Sequence, residues 1–119
     1  MRTEIAREYR FEAAHLLPHV PEGHKCRRLH GHSFRVTLTV GGDVDPRLGW
    51  ICDFADIDGA WRPLFEALDH RYLNEVEGLD NPTSEVLARW ILERLALARG
   101  AVVSVTVHET CSASATVTR

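Results

Sequence analysis

No run of apolar residues in this 119-residue chain approaches the ~20 needed to cross a bilayer as a helix. The amino end, Met1-Arg2-Thr3-Glu4, does not read as a signal peptide. Cysteine is scarce: Cys26, Cys52 and Cys111 are odd in number, far apart and form no CxxC pair. That usage fits a reducing cytoplasm better than a disulfide framework. Neither sign of charge dominates, and a net −3 gives no electrostatic case for nucleic acid or an anionic membrane as partner. There is no internal repeat, low-complexity segment or compositional break, so residues 1–119 read as one domain with a core of modest size. At 45% hydrophobic and 26% charged, the composition is that of a soluble globular protein.

What the chain does have is histidine, seven in all. Residues 3 to 13 alternate, with Ile5, Tyr9, Phe11 and Ala13 on one parity and Glu4, Glu8, Arg10 and Glu12 on the other. This predicts a half-buried strand in which Arg7 is the exception, and His15 extends the buried parity. Pro18, Pro21 and Gly23 make residues 16 to 29 a loop. A second strand follows, with Phe34, Val36, Leu38 and Val40 apolar and His30 and His32 on the same parity. If the two strands pair antiparallel, the register that sets His15 opposite His30 also sets Phe11 opposite Phe34 and Tyr9 opposite Val36. One register thus satisfies the hydrophobic pattern and gathers three imidazoles, as an open zinc site requires. The competing reading is two buried histidines with backbone partners and a third in solvent.

Ile57, Trp61, Leu64, Phe65 and Leu68 predict a helix over about 54–68 with Asp53 as N-cap and Pro63 as a possible kink. After a connector, Asn81-Pro82 reads as N-cap and first position of a second helix, Glu85 lies in its first turn, and Gly100 ends it. Leu87, Trp90, Ile91, Leu95 and Ala98 form its apolar face. Residues 101–108 alternate through Ala101, Val103, Val105 and Val107, and residues 112–118 do so weakly. The order ββααββ predicts an α+β layer, a four-stranded antiparallel sheet with both helices on one face. Its open edges invite self-assembly.

Cys26 lies four residues before His30, flanked by Lys25, Arg27 and Arg28. Near a cation its thiolate would be favoured as a base or nucleophile, whereas the plain reading is a small loop residue. The basic neighbours suit a phosphorylated substrate or simply a solvated loop. Asp69-His70 closes the first helix. A carboxylate that orients an imidazole makes an acid–base pair, but adjacent helical residues do not face each other, so the chain must have left the helix. On residues alone, a histidine favoured by the helix dipole is the simpler reading. Glu109 ends the third predicted strand, followed by Thr110. Its carboxylate suits the amidine-like edge of a guanine or pterin, or is an exposed strand-end charge. No carboxylate stands near the histidines in sequence to activate water, which weighs against a hydrolytic zinc enzyme.

Seven stretches in order carry a resemblance: FEAAH (11–15), VPEGHKC (20–26), LHGHSF (29–34), GWICDF (49–54), LDHRYLN (68–74), NPTSEVLA (81–88) and HETC (108–111). Together they resemble the 6-pyruvoyl-tetrahydropterin synthase family, in particular its bacterial queuosine-pathway branch. The resemblance implies a tunnelling fold in which trimers join sheets into a barrel and stack as a homohexamer. It implies zinc at His15, His30 and His32, Cys26 as catalytic base, Asp69 and His70 as a proton-transfer pair, and Glu109 with Thr110 anchoring the pterin ring. Asp53 and Phe54 would serve a neighbour's pocket. The implied reaction turns 7,8-dihydroneopterin triphosphate into 6-carboxy-tetrahydropterin, acetaldehyde and triphosphate. Cys26 stands where folate-type members carry glutamate, and no acidic residue follows Glu109, unlike the pyruvoyl-forming animal enzymes. The alternatives are a 6-pyruvoyl-forming lyase and a non-catalytic pterin-binding module.

Overall fold

The computed structural model describes residues 1–119. Two long strands, β1 (Thr3–His15) and β2 (His30–Gly42), are followed by α1 (Phe54–Leu68), a short β3 (Arg71–Tyr72), α2 (Ser84–Arg94), β4 (Ala101–His108) and β5 (Ser114–Thr118). The sheet runs β3-β1-β2-β4-β5, antiparallel except for β3, which pairs parallel to the end of β1 through Ala13↔Arg71 and Ala14↔Tyr72. The expected four-stranded antiparallel sheet is therefore a five-stranded mixed one. Two residues are too few to show a period-two pattern, so β3 left no trace in the sequence.

β1 and β2 pair in the register that the hydrophobic pattern selects, with His15↔His30, Phe11↔Phe34 and Tyr9↔Val36. The Phe11 and Phe34 rings stack at 5.0 Å, and Trp61 of α1 covers Tyr9 at 5.1 Å. α1 packs on β1 and α2 on β4 and β5, so both helices cover one sheet face. Between them lie Ile57, Trp61, Leu64 and Leu68 from α1 and Leu87, Trp90 and Ile91 from α2. Arg7, the odd residue on the apolar parity, reaches Asp58 of α1 with Nε–Oδ1 3.0 Å, and the Tyr9 hydroxyl donates to the same carboxylate. The other face carries Glu8, Arg10, Glu12 and Arg35, with no helix over it.

Asp53 caps α1 by accepting the Ala55 N–H at 2.9 Å, and the helix runs through Pro63, which sits on its exposed side. α2 departs from expectation at both ends. Its N-cap is Thr83, whose hydroxyl accepts the Val86 N–H, and not Asn81. Pro82 thus precedes the helix, and its carbonyl is taken by a histidine described below. At the other end Leu95 is already extended, so Ala98 is exposed and Gly100 lies outside the helix. Gly100 serves the turn into β4 instead, at φ +74, where a Cβ would come within 2.9 Å of Val40.

β4 also departs from simple alternation. Thr39 pairs with Ser104 but Val40 with Val102, so a bulge inserts Val103 between them. Val102, Val105 and Val107 face the core, while Val103 is half-buried and Ala101 exposed. Val102→Ala should cost about 2 kcal/mol, two buried carbons with the cavity they leave, and Val103→Ala clearly less. Urea unfolding midpoints of the two variants check this; strict alternation demands the reverse order.

Candidate metal centre and active site

His15 is fully buried at the end of β1, and its Nδ1 lies 2.9 Å from the Pro82 carbonyl. Nδ1 of His30 lies 2.7 Å from the Arg28 carbonyl, and Nδ1 of His32 lies 3.2 Å from the Ser33 carbonyl. A carbonyl only accepts, so all three rings donate through Nδ1–H and keep a lone pair on Nε2. One donor nitrogen from each ring lies within 4.8 Å of the others, and Nε2 of His15 and His32 face each other at 3.0 Å. Two lone pairs at that spacing repel unless a positive charge lies between them. A proton is a poor answer, because burial pushes the His15 pKa down, against a smaller opposing effect of its bond to Pro82. A divalent cation is a good one. Donors on a tetrahedral zinc with bonds of ~2.0–2.1 Å are about 3.3 Å apart, so the donor set fits this ion.

Glu109 completes the cluster. Its Oε1 lies 3.6 Å from Nε2 of His15 and 3.9 Å from Nε2 of His32. The pairing of Arg35 with His108 at the end of β4 brings it there. The sequence placed no carboxylate near the histidines; the fold does, across the sheet. A hollow of about 410 Å³ opens at this point on the helix-free face, lined by His32, Arg35, His108, Glu109 and Thr110 among others. Arg35 and His108, 3.3 Å apart, were not anticipated. Nothing in their spacing marks them until β2 and β4 are paired.

Asp69 and His70 are brought together because the chain leaves α1 at Leu68. Asp69 is extended and His70 is left-handed at φ 57, which turns its imidazole back onto the preceding carboxylate, Nδ1–Oδ2 2.7 Å. The His70 N–H bonds to the Glu12 carbonyl and the Glu12 N–H to Asp69 Oδ1, so the pair is tied to β1. Foremost the Glu12 amide, and then His70, hold the Asp69 carboxyl below its usual range. A second hollow, of about 560 Å³, has His32 and His70 in its wall.

Cys26 lies in a 3-10 turn, Lys25–Arg27, whose N-cap is His24; the His24 Nδ1 accepts the Cys26 N–H at 3.1 Å. The Cys26 carbonyl accepts from Leu17, two residues past His15. The backbone of Cys26 is thus pinned to the chain just past the end of β1, close to the histidine cluster, although its side chain lines neither hollow. Lys25 and Arg28 are exposed, and the Arg28 carbonyl is the partner of His30. Asp53 and Phe54 stand apart from the cluster within one chain. The guanidinium of Arg7 lies 5.9 Å from the Phe54 ring, and Arg7 is eight residues along β1 from His15, roughly 26 Å. Phe54 is 46% exposed, with Trp50 and Leu48 similarly bare.

The model of one protein family, 6-pyruvoyl tetrahydropterin synthase, matches residues 4–119. A Synechocystis protein named 6-carboxy-5,6,7,8-tetrahydropterin synthase is 46% identical over 93% of this chain and 89% of its own. A Pyrococcus furiosus protein named dihydroneopterin monophosphate aldolase is 34% identical over 80% of this chain and 76% of its own. Among solved structures, Caenorhabditis elegans 6-pyruvoyl tetrahydropterin synthase superposes with a TM-score of 0.91 at 26% identity, covering 100% of this chain and 96% of that one. The fold is the α+β tunnelling fold of these proteins.

Since the Asp69 carboxyl is held down, its contribution to stability is complete above the unfolded value of about 3.9 and is lost as pH falls through the lower folded value. A carbon-detected NMR titration should find Asp69 titrating below that value. His70→Ala should raise it only partway, because the Glu12 amide remains.

Proposed function

The chain belongs to the 6-pyruvoyl tetrahydropterin synthase family, and from that membership we propose that its 119 residues form one catalytic domain acting on a pterin triphosphate. The reaction takes 7,8-dihydroneopterin triphosphate and water to 6-carboxy-tetrahydropterin, acetaldehyde and triphosphate, a step in queuosine biosynthesis. The observation that carries this reading over the 6-pyruvoyl one is the 46% identity to a relative named for the carboxy product. The lack of an acidic side chain among residues 110–119 supports it.

His15, His30 and His32 would hold zinc through Nε2, with the backbone carbonyls of Pro82, Arg28 and Ser33 fixing each ring. The ion supplies Lewis-acid polarisation of the substrate's side-chain oxygens. Cys26 is the base that removes a carbon-bound proton from that side chain, and the His24 imidazole keeps its turn in place. His70 donates through Nδ1 to Asp69, so its Nε2 accepts and returns protons while the carbon–carbon bond breaks. Glu109, followed by Thr110, accepts hydrogen bonds from the pterin ring, and Lys25 and Arg28 meet the triphosphate.

In this reading the molecule works in the cytoplasm as a homohexamer, a dimer of trimers. Residues 3–12 of β1 have no strand on their outer side, and the outer side of β5 is equally free, so subunits can join edge to edge. Bare Phe54, with Asp53 beside it, then completes a pocket in the next subunit, which accounts for its distance from the histidines of its own chain.

Incubation with 7,8-dihydroneopterin triphosphate should release acetaldehyde in step with 6-carboxy-tetrahydropterin. A 6-pyruvoyl product without acetaldehyde would overturn the assignment. Cys26→Ala should lower kcat by about 10²–10⁴-fold while pterin binding, read by fluorescence titration, persists.

A further inference from the structure

The Glu109 carboxylate is in an odd position for a group whose partner is a pterin ring. No N–H or O–H of the protein donates to it. Two imidazole nitrogens, the Nε2 atoms of His15 and His32 that carry the lone pairs, lie 3.6 and 3.9 Å from its Oε1. A carboxylate facing lone pairs is repelled by them, as the two nitrogens repel each other at 3.0 Å. One divalent cation turns all three repulsions into attractions. The spacings are close to the ~3.3 Å between donors that share a tetrahedral zinc, so a small rotation of the side chain closes the fourth position.

The same distances conflict with a fixed anchoring role. A bicyclic pterin with its three-carbon tail is far longer than the gap between Glu109 and the histidines. With the tail at the metal and the ring on Glu109, the carboxylate cannot stay where it is. The backbone of Glu109 is held by its N–H to the Ala113 carbonyl at 3.1 Å, at the start of the turn that joins β4 to β5. Its side chain, one-third exposed, is therefore what moves.

We propose that Glu109 is a movable fourth ligand, which caps the metal held by His15, His30 and His32 until a pterin draws the carboxylate onto its ring. This rests on the pterin reading above and deepens it. With neutral imidazoles, the capped centre carries a net charge of about +1 and the uncapped one +2, so the full charge is presented only when substrate is in place. The device also keeps stray anions and water off the centre between turnovers.

The test uses the full-length protein loaded with Co²⁺ in place of zinc, as wild type, Glu109→Gln and Glu109→Ala, with the visible spectrum as readout. Thermal melts confirm that the variants fold. Without pterin, both variants should differ from wild type in cobalt spectrum and release zinc to a competing chelator with at least about ten-fold weaker affinity. Adding neopterin should shift the wild-type spectrum toward that of Glu109→Ala and leave the Glu109→Ala spectrum nearly unchanged. Identical spectra and zinc affinities for all three proteins before neopterin is added would overturn the proposal. A protein that shows the capped spectrum but releases no acetaldehyde from dihydroneopterin triphosphate would keep Glu109 as ligand and remove the reaction.

Discussion

The pairing of β1 with β2 in a single register is the constraint on which this structure depends. Thirteen residues of each strand face one another, from Thr3↔Gly42 to His15↔His30. A slip by one residue would turn Phe34, Val36, Leu38 and Val40 from the core to the open face, at a cost of roughly 1.5–3 kcal/mol for each large apolar side chain exposed. No comparable force acts on the histidines themselves. They are carried into place by the hydrophobic pattern, and the histidine cluster sits at one end of the longest strand pair in the sheet.

The backbone finishes what the register begins. Each of the three rings is oriented by a carbonyl: one from the loop before β2, one inside β2, and one from the segment before α2. That third partner explains a local oddity, since Pro82 stands outside α2 and Thr83 takes over as the cap. The same economy appears at Asp69, where one carboxylate fastens the end of α1 to β1 and orients His70. Structural and chemical roles share the same few atoms.

The register, α1 and its Asp53 cap were legible in the sequence because each rests on a local period: two for the strands, near 3.6 for the helix. The gathering of His15, His30 and His32 was legible for the same reason. Other features were not. β3 is too short for a period, and the bulge at Val103 breaks one that seemed clear. Glu109 is 77 residues from His32 and reaches it only through the pairing of β4 with β2. Carbonyl partners carry no residue identity, so Pro82, Arg28 and Ser33 gave no sign. The roles expected of Cys26, His70 and Glu109 rested on family resemblance, and Phe54 lies apart from the histidines of its own chain, where spacing had little to say about it.

Three imidazoles, protonated on Nδ1, converge with Nε2 lone pairs that one cation would satisfy. A long-range ¹H–¹⁵N correlation spectrum of the histidine rings, recorded while Zn²⁺ is added to metal-free protein, tests this most directly. His15, His30 and His32 should be Nδ1–H tautomers, with the three Nε2 resonances moving together and finishing at one zinc per chain. An Nε2–H tautomer at His15, or zinc bound while the His15 resonance stays still, would contradict it.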